Sequence, residues 1–219
     1  MVITPLSSTK YEKIFEEDSI FEYPNMVRVR SIGGPSSFMH AIFLSFFIPY
    51  RMNKLNGTIV TRHDMIYSYR MHLAIKLSQL EDPSQSDMIR VYDCLGKGKN
   101  REIASAVKSY SIEVMQSELL DKSFFIDDKY LELISNDLYK DIYIIDGRAK
   151  TIYVKSEDPN IFYKKRGSIV LLALPNHFEL IGLSNPNDPE DIITYFNPDS
   201  PFINYLNSKY FEQFNSEHA

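Results

Sequence analysis

The pattern of apolar and polar positions divides the chain into a helical first part and a stranded second part. From Ser37 the run SFMHAIFLSFFIPYR is apolar on nearly every side, the pattern of a helix buried all round. It should stop near Pro49, because the residue before a proline is driven out of the helical region. Asn56-Gly57 marks a turn. Arg62 to Leu80 is amphipathic, with Ile66, Tyr69, Leu73, Leu77 and Leu80 recurring on one helical face. The stretch Glu81 to Asp87 (EDPSQSD) is a polar loop, and the pattern predicts further helices over about Arg101 to Leu120 and Asp128 to Leu138.

After Lys140 the period changes. Asp141 to Asp146 (DIYIID) and Thr151 to Lys155 (TIYVK) are rich in β-branched and aromatic residues around a Gly147-Arg148 turn. Ser168 to Leu174 and His177 to Ser184 form a hairpin at Pro175-Asn176, Asp191 to Phe196 adds a strand, and a short helix after Pro201 closes the chain. Helices first and an antiparallel sheet last indicate an α+β domain. Residues 1 to 32, mixed in charge and poor in glycine, read as a loosely attached arm with some short structure.

Composition narrows the classes. A chain of 219 residues suits one domain, divided here into an arm (1–30), a domain (31–210) and a C-terminal tail (211–219). The 29 acids against 24 bases argue against non-specific nucleic-acid binding. Cys94 is the single cysteine, so no internal disulfide can form and a reducing compartment is the natural reading. The start, MVITPLSSTKYEKIFEED, lacks the basic and apolar regions of a signal peptide. The apolar stretch Ala41 to Ile48 is far below the ~20 residues of a membrane span. These features lead us to expect a soluble, cytoplasmic protein with no membrane partner.

The candidate chemistry lies at two distant segments. Gly33 to Ala41 (GGPSSFMHA) feeds Ser37 into the buried helix. A nucleophile there gains from the positive end of the helix dipole and from free backbone N–H groups that can hold an oxyanion. In the second segment, Ser168 to Leu183, His177 follows the hairpin turn, and Glu179 lies two residues on, on the same face of the strand. A carboxylate there can hold the imidazole and stabilise its charged form.

Together these segments resemble the nucleophile loop and histidine hairpin of papain-like hydrolases. Ser37-Phe38-Met39-His40-Ala41 resembles the ovarian-tumour (OTU) cysteine protease motif, in which the catalytic cysteine precedes two large apolar residues, then Arg or His, then Ala. His177-Phe178-Glu179-Leu180-Ile181 resembles that family's His-aromatic-acid segment, and Arg70 to Leu73 fits the family's layout. The resemblance spans roughly Arg28 to Phe196, lacks the family's tryptophan-containing middle segment, and is closest in style to OTU proteins of large DNA viruses. It implies a papain-like OTU fold, a small antiparallel-rich sheet packed by helices, and a cysteine-type deubiquitinase (thiol isopeptidase) acting on ubiquitin or polyubiquitin conjugates, with ubiquitin-like modifiers also open. The expected place is the cytoplasm, or a host cytoplasm or virion if viral. By position, Ser37 takes the nucleophile site, His177 the general base and Glu179 the orienting acid, with Gly34 and Ser36 in the oxyanion loop. No cofactor and no metal are implied.

The departures from the family matter. Its usual Asp-Gly is here Gly34-Pro35, which removes a loop-fixing side chain and an N–H that could serve the oxyanion. Cysteine ionises near pKa ~8.5 and lower beside a helix end, whereas a serine needs full general-base help, so the Ser37 form is expected to be inactive. Ser37 admits three readings: a cysteine replaced in order to trap substrate, a natural pseudoenzyme acting as a ubiquitin-binding module, or a working serine hydrolase. The bland alternatives are a plain helix cap by Ser36 or Ser37 and a satisfied strand-end histidine. Elsewhere, His40 reads as packing, and His63 and His72 lack ligand spacing. Leu95 to Arg101 (LGKGKNR) and Lys164-Lys165-Arg166 read as solvated loops, and Cys94 as a quiet thiol.

Overall fold

The computed structural model describes residues 23–78, 112–127, 130–146, 151–154 and 166–217. The expected loop at 81–87, the first part of the helix at 101–120, the turn at Gly147-Arg148, Cys94, the LGKGKNR loop and Lys164-Lys165 lie outside them.

Helix α1 (Ser37–Phe46) forms where the apolar run begins, and nine of its ten residues are buried. It ends at Phe47, and α2 (Ile48–Met52) restarts with proline in its first turn, where the missing N–H has no helical partner to lose. Asn56 and Gly57, at φ 48° and 84°, turn a two-stranded hairpin of β2 (Lys54–Leu55) and β3 (Thr58–Ile59). Helix α3 (Arg62–Ser78) begins at a reciprocal cap. The Asp64 N–H donates to Thr61 Oγ1 at 3.1 Å, and the Thr61 hydroxyl donates to Asp64 Oδ2 at 2.6 Å. Its buried face holds Ile66, Leu73 and Leu77 as the periodicity requires, and also Arg70. Leu80 lies outside the described residues. Two shorter helices follow, α4 (Ile112–Leu120) and α5 (Leu131–Leu138).

The main sheet is built from β1 (Met26–Val29), β4 (Asp141–Asp146), β5 (Thr151–Val154), β6 (Ser168–Leu174), β7 (His177–Asn185) and β8 (Asp188–Ile193). Its order is β1-β7-β6-β4-β5, with β8 paired to the far end of β7. All pairs are antiparallel except β4 with β6, so the sheet is mixed rather than purely antiparallel. Strand alternation gives it two apolar faces. Ile142, Ile144, Ile169, Leu171, Phe178 and Leu180 join the core formed with α1, α3, α4 and α5. Tyr143, Ile145, Val170, Leu172 and Ile181 meet Phe202, Ile203 and Leu206 of α6 (Pro201–Glu217) on the other side. The fold is α+β, a mixed sheet between two helical layers.

Four sequence expectations need correction. Residues 26–29, read as part of a loose arm, are an edge strand registered on β7 from Met26↔Leu183 to Val29↔Leu180. The last strand runs over Asp188–Ile193 instead of 191–196, because a register shift at Ser184/Asn185 starts the return earlier. The closing helix spans 17 residues, since its apolar face has a whole sheet surface to cover, and it takes in most of the expected tail. Arg166 is not solvated: it is buried on Asp141 (Nε to Oδ1 2.9 Å) and reaches the Ser135 hydroxyl at 2.9 Å.

Candidate functional site

Beyond Val29 the chain leaves the sheet and passes over the open edge of β7. There two side chains replace the backbone ladder of the vanished strand. The Ser31 hydroxyl donates to the Phe178 carbonyl at 2.6 Å, and the Phe178 N–H donates to Ser37 Oγ at 3.2 Å. A buried edge N–H needs such an acceptor. Ser37 is therefore brought directly beside the residue that follows His177, and it is fully buried, at 0% exposure. Phe38 and Phe178 lock the junction, with ring centroids 4.9 Å apart.

The loop before α1 is set by its own residues. Gly34 sits at φ 95°, where an L side chain is strained. Pro35 occupies the second position of a turn closed by the Ser37 N–H donating to the Gly34 carbonyl at 3.0 Å. Ser36, at φ −109° and ψ 17°, has the third-residue geometry of a type I turn, and proline at the second position favours that turn. The sequence Gly-Pro-Ser-Ser thus writes a turn that consumes the Ser37 N–H, one of the donors expected to line an oxyanion hole.

Ser36 does not cap the helix; no side-chain cap bond forms at the N-terminus of α1. Its Oγ instead accepts from Arg70 Nη1 at 2.9 Å. Arg70 is 1% exposed and donates also to the carbonyls of Leu119 (2.8 Å), Glu118 (2.7 Å), Asp121 and Phe124 (3.4 Å). It ties the end of α4 and the following turn to the loop. Ile126 N–H completes the brace on the Pro35 carbonyl at 2.8 Å. Beyond the family-like layout of Arg70 to Leu73, the sequence shows Arg70 as a polar residue in a helical row; its burial is set by four carbonyls that come from 48 to 54 residues away.

On β7, His177 and Glu179 share the face of Ile181, while Phe178 and Leu180 point to α1. His177 Nε2 lies 3.2 Å from Glu179 Oε1. A carboxylate only accepts, so Nε2 carries the hydrogen. A methyl placed on Gly33 would lie 3.9 Å from Nδ1, so the Nδ1 side of the ring looks toward the loop. Glu179 is buried and held by both arms of Arg28, through Nε and through Nη2 at 3.1 Å. Arg28 escapes a reading of the sequence because it falls in the segment that reads as an arm; its signal is the alternation of Met26-Val27-Arg28-Val29. Among the described residues, no hydrogen bond joins Ser37 to His177.

His40 is buried, as its packing role requires. Its Nδ1 pairs with the Tyr50 hydroxyl at 2.7 Å. Burial, with His63 and Arg62 nearby, pulls its pKa down to about 4. Burial pushes the Tyr50 phenol up to about 12, against the opposing pull of Arg62. Among the described residues no cluster of His, Cys, Asp and Glu could hold a metal, and no helix is long and apolar enough to cross a membrane.

Neither a family model nor a curated protein matches the sequence. Among solved structures, an ovarian-tumour (OTU) domain in complex with ubiquitin is similar to this chain at TM-score 0.51 and 14% identity, covering 86% of this chain and 84% of that one. An OTU deubiquitinase from Wolbachia pipientis wMel aligns at TM-score 0.39 and 14% identity, over 73% of this chain and 90% of its own. The viral OTU domain protease from Farallon virus aligns at TM-score 0.39 and 13% identity, over 80% and 98%. The fold assignment rests on the first of these: the chain has the fold of an OTU domain.

Proposed function

We propose that this chain is an OTU-fold ubiquitin-binding module that holds ubiquitin without cleaving it. The observation that carries the reading is the state of Ser37. Acyl transfer needs an oxygen that can shed its proton to a base and approach a carbonyl, with N–H donors waiting for the negative charge. Here the buried Ser37 oxygen is held on the Phe178 N–H with, among the described residues, no hydrogen bond to His177, and the Ser37 N–H closes a turn on Gly34. The oxygen is not engaged with a base, and one oxyanion donor is spent on a structural bond. The OTU structure to which the fold is similar is a complex with ubiquitin, which supplies the class of partner.

A second reading has its own support. His177 bonds to Glu179, which Arg28 clamps in turn, and this chain of contacts supports a deubiquitinase in which cysteine stands at position 37. Hydrolysis of a fluorogenic ubiquitin C-terminal amide separates the two. The binding-module reading expects no turnover by the chain or by Ser37→Cys, because the turn keeps the N–H in either form. Turnover by Ser37→Cys that disappears in Ser37→Cys/His177→Ala would favour the isopeptidase instead.

A further inference from the structure

Beside the nucleophile loop, on the side of α3, lies a cavity of about 140 Å³. At ~30 Å³ per water in the liquid, it has room for a terminal carboxylate and a few waters. Gly33, Pro35 and Ser36 form one wall and α3 the other, with Lys122 at the rim. Gly33 joins it to the His177 side of the site, since its Cβ direction meets the imidazole.

The charges around the cavity favour an anion. Arg70 lines it as a buried cation. Its five N–H groups are all taken by Ser36, Glu118, Leu119, Asp121 and Phe124, so it supplies field rather than a bond. The positive end of α1 adds to that field. Lys122 supplies the bond: its ammonium stands 4.1 Å from the centre of the Tyr67 ring, and among the described residues no carboxylate pairs with it. Ser36 accepts from Arg70, which leaves its own hydroxyl hydrogen free to donate. Asp64 is an opposing charge on the same wall, its Oδ2 already accepting from the Thr61 hydroxyl, and the Asp121 carboxylate, held by Ser123, offsets part of the field of Arg70.

We infer that this cavity binds a free carboxylate, and that its occupant is the C-terminal carboxylate of unconjugated ubiquitin. The inference rests on the ubiquitin-binding reading and deepens it. In an isopeptide-linked ubiquitin that carboxylate is an amide, with no charge to meet Lys122 and Arg70. The module therefore selects free ubiquitin and unattached chain ends over conjugates.

The test is calorimetric titration of the full chain with ubiquitin and with the same ubiquitin capped as a C-terminal primary amide. Removing a charge-assisted contact should weaken binding by roughly tenfold or more. Lys122→Met, a surface change, should bring the two affinities together, and Lys122→Arg should keep them apart. Equal affinities for the two ubiquitins in the unaltered chain would overturn the inference while leaving the ubiquitin-binding reading standing. An affinity gap that persists in Lys122→Met would overturn the assignment to this cavity. Failure of both ubiquitins to bind would remove the reading on which the inference depends.

Discussion

Replacing Arg70 by methionine should be among the most damaging single changes in the chain, and its cost can be worked from the contacts. The guanidinium gives charge-assisted bonds to Ser36 Oγ and to the carbonyls of Glu118, Leu119 and Asp121, with a longer one to Phe124. Glu118 and Leu119 lie in the last turn of α4, where carbonyls have no helical partner. Methionine fills much of the volume but leaves them buried and unpaired, at about 1–3 kcal/mol each. It also removes a cation from the negative end of α4, worth roughly 0.3–1 kcal/mol. Since such terms overlap, we expect a loss of about 3–5 kcal/mol, a large part of the ~5–15 kcal/mol that holds a domain together. Lysine, with one ammonium for five bonds, should lose about 2 kcal/mol, and Ser36→Ala, which removes a single acceptor, about 1 kcal/mol. Urea unfolding of the four proteins gives these differences directly, and hydrogen exchange at the Ser37 amide should quicken in Arg70→Met. A loss below about 1 kcal/mol in Arg70→Met would refute the claim that this residue braces the loop.

Further outcomes are expected. His40 has a folded pKa of about 4 against an ordinary histidine value of 6.5, so between those limits the unfolded chain binds more protons than the folded one. Its contribution, up to about 3 kcal/mol, is present above pH 6.5 and is lost as pH falls toward 4; denaturation of the chain and of His40→Gln at neutral pH and near the folded pKa should show the variant less sensitive to acid. Gly34→Ala should destabilise by about 1–2 kcal/mol by thermal melting, since the added methyl meets open space and the cost is backbone strain at φ 95°. Gly167→Ala drives a methyl into the Tyr195 hydroxyl and into the ring carbons behind it, far inside contact distance, and should lower the melting temperature; pairing it with Tyr195→Ala, which removes the ring, should restore part of the loss.

What could be read from the sequence follows the range of the forces involved. The buried run of α1, the amphipathic row of α3 and the β6–β7 hairpin are local patterns, and each stands where the pattern puts it. The proximity of Ser37 to the His177 segment was legible only through resemblance, because 141 residues separate Ser37 from Phe178. The strand Met26–Val29 was hidden because four residues carry little periodicity and its partner lies far along the chain. Arg166 read as a solvated charge, and the burial of Arg70 was not legible, because the carboxylate and carbonyls that compensate their burial come from other elements. Pro35 was legible as a missing donor. That the turn it favours also ties the Ser37 N–H to the Gly34 carbonyl required the turn to be seen closed.

Titration of isotope-labelled ubiquitin with the unaltered chain, followed by NMR, tests the central claim most directly. The account predicts saturable shifts that include the C-terminal tail, with the ubiquitin unchanged after prolonged incubation. A spectrum that does not move at protein excess would contradict it.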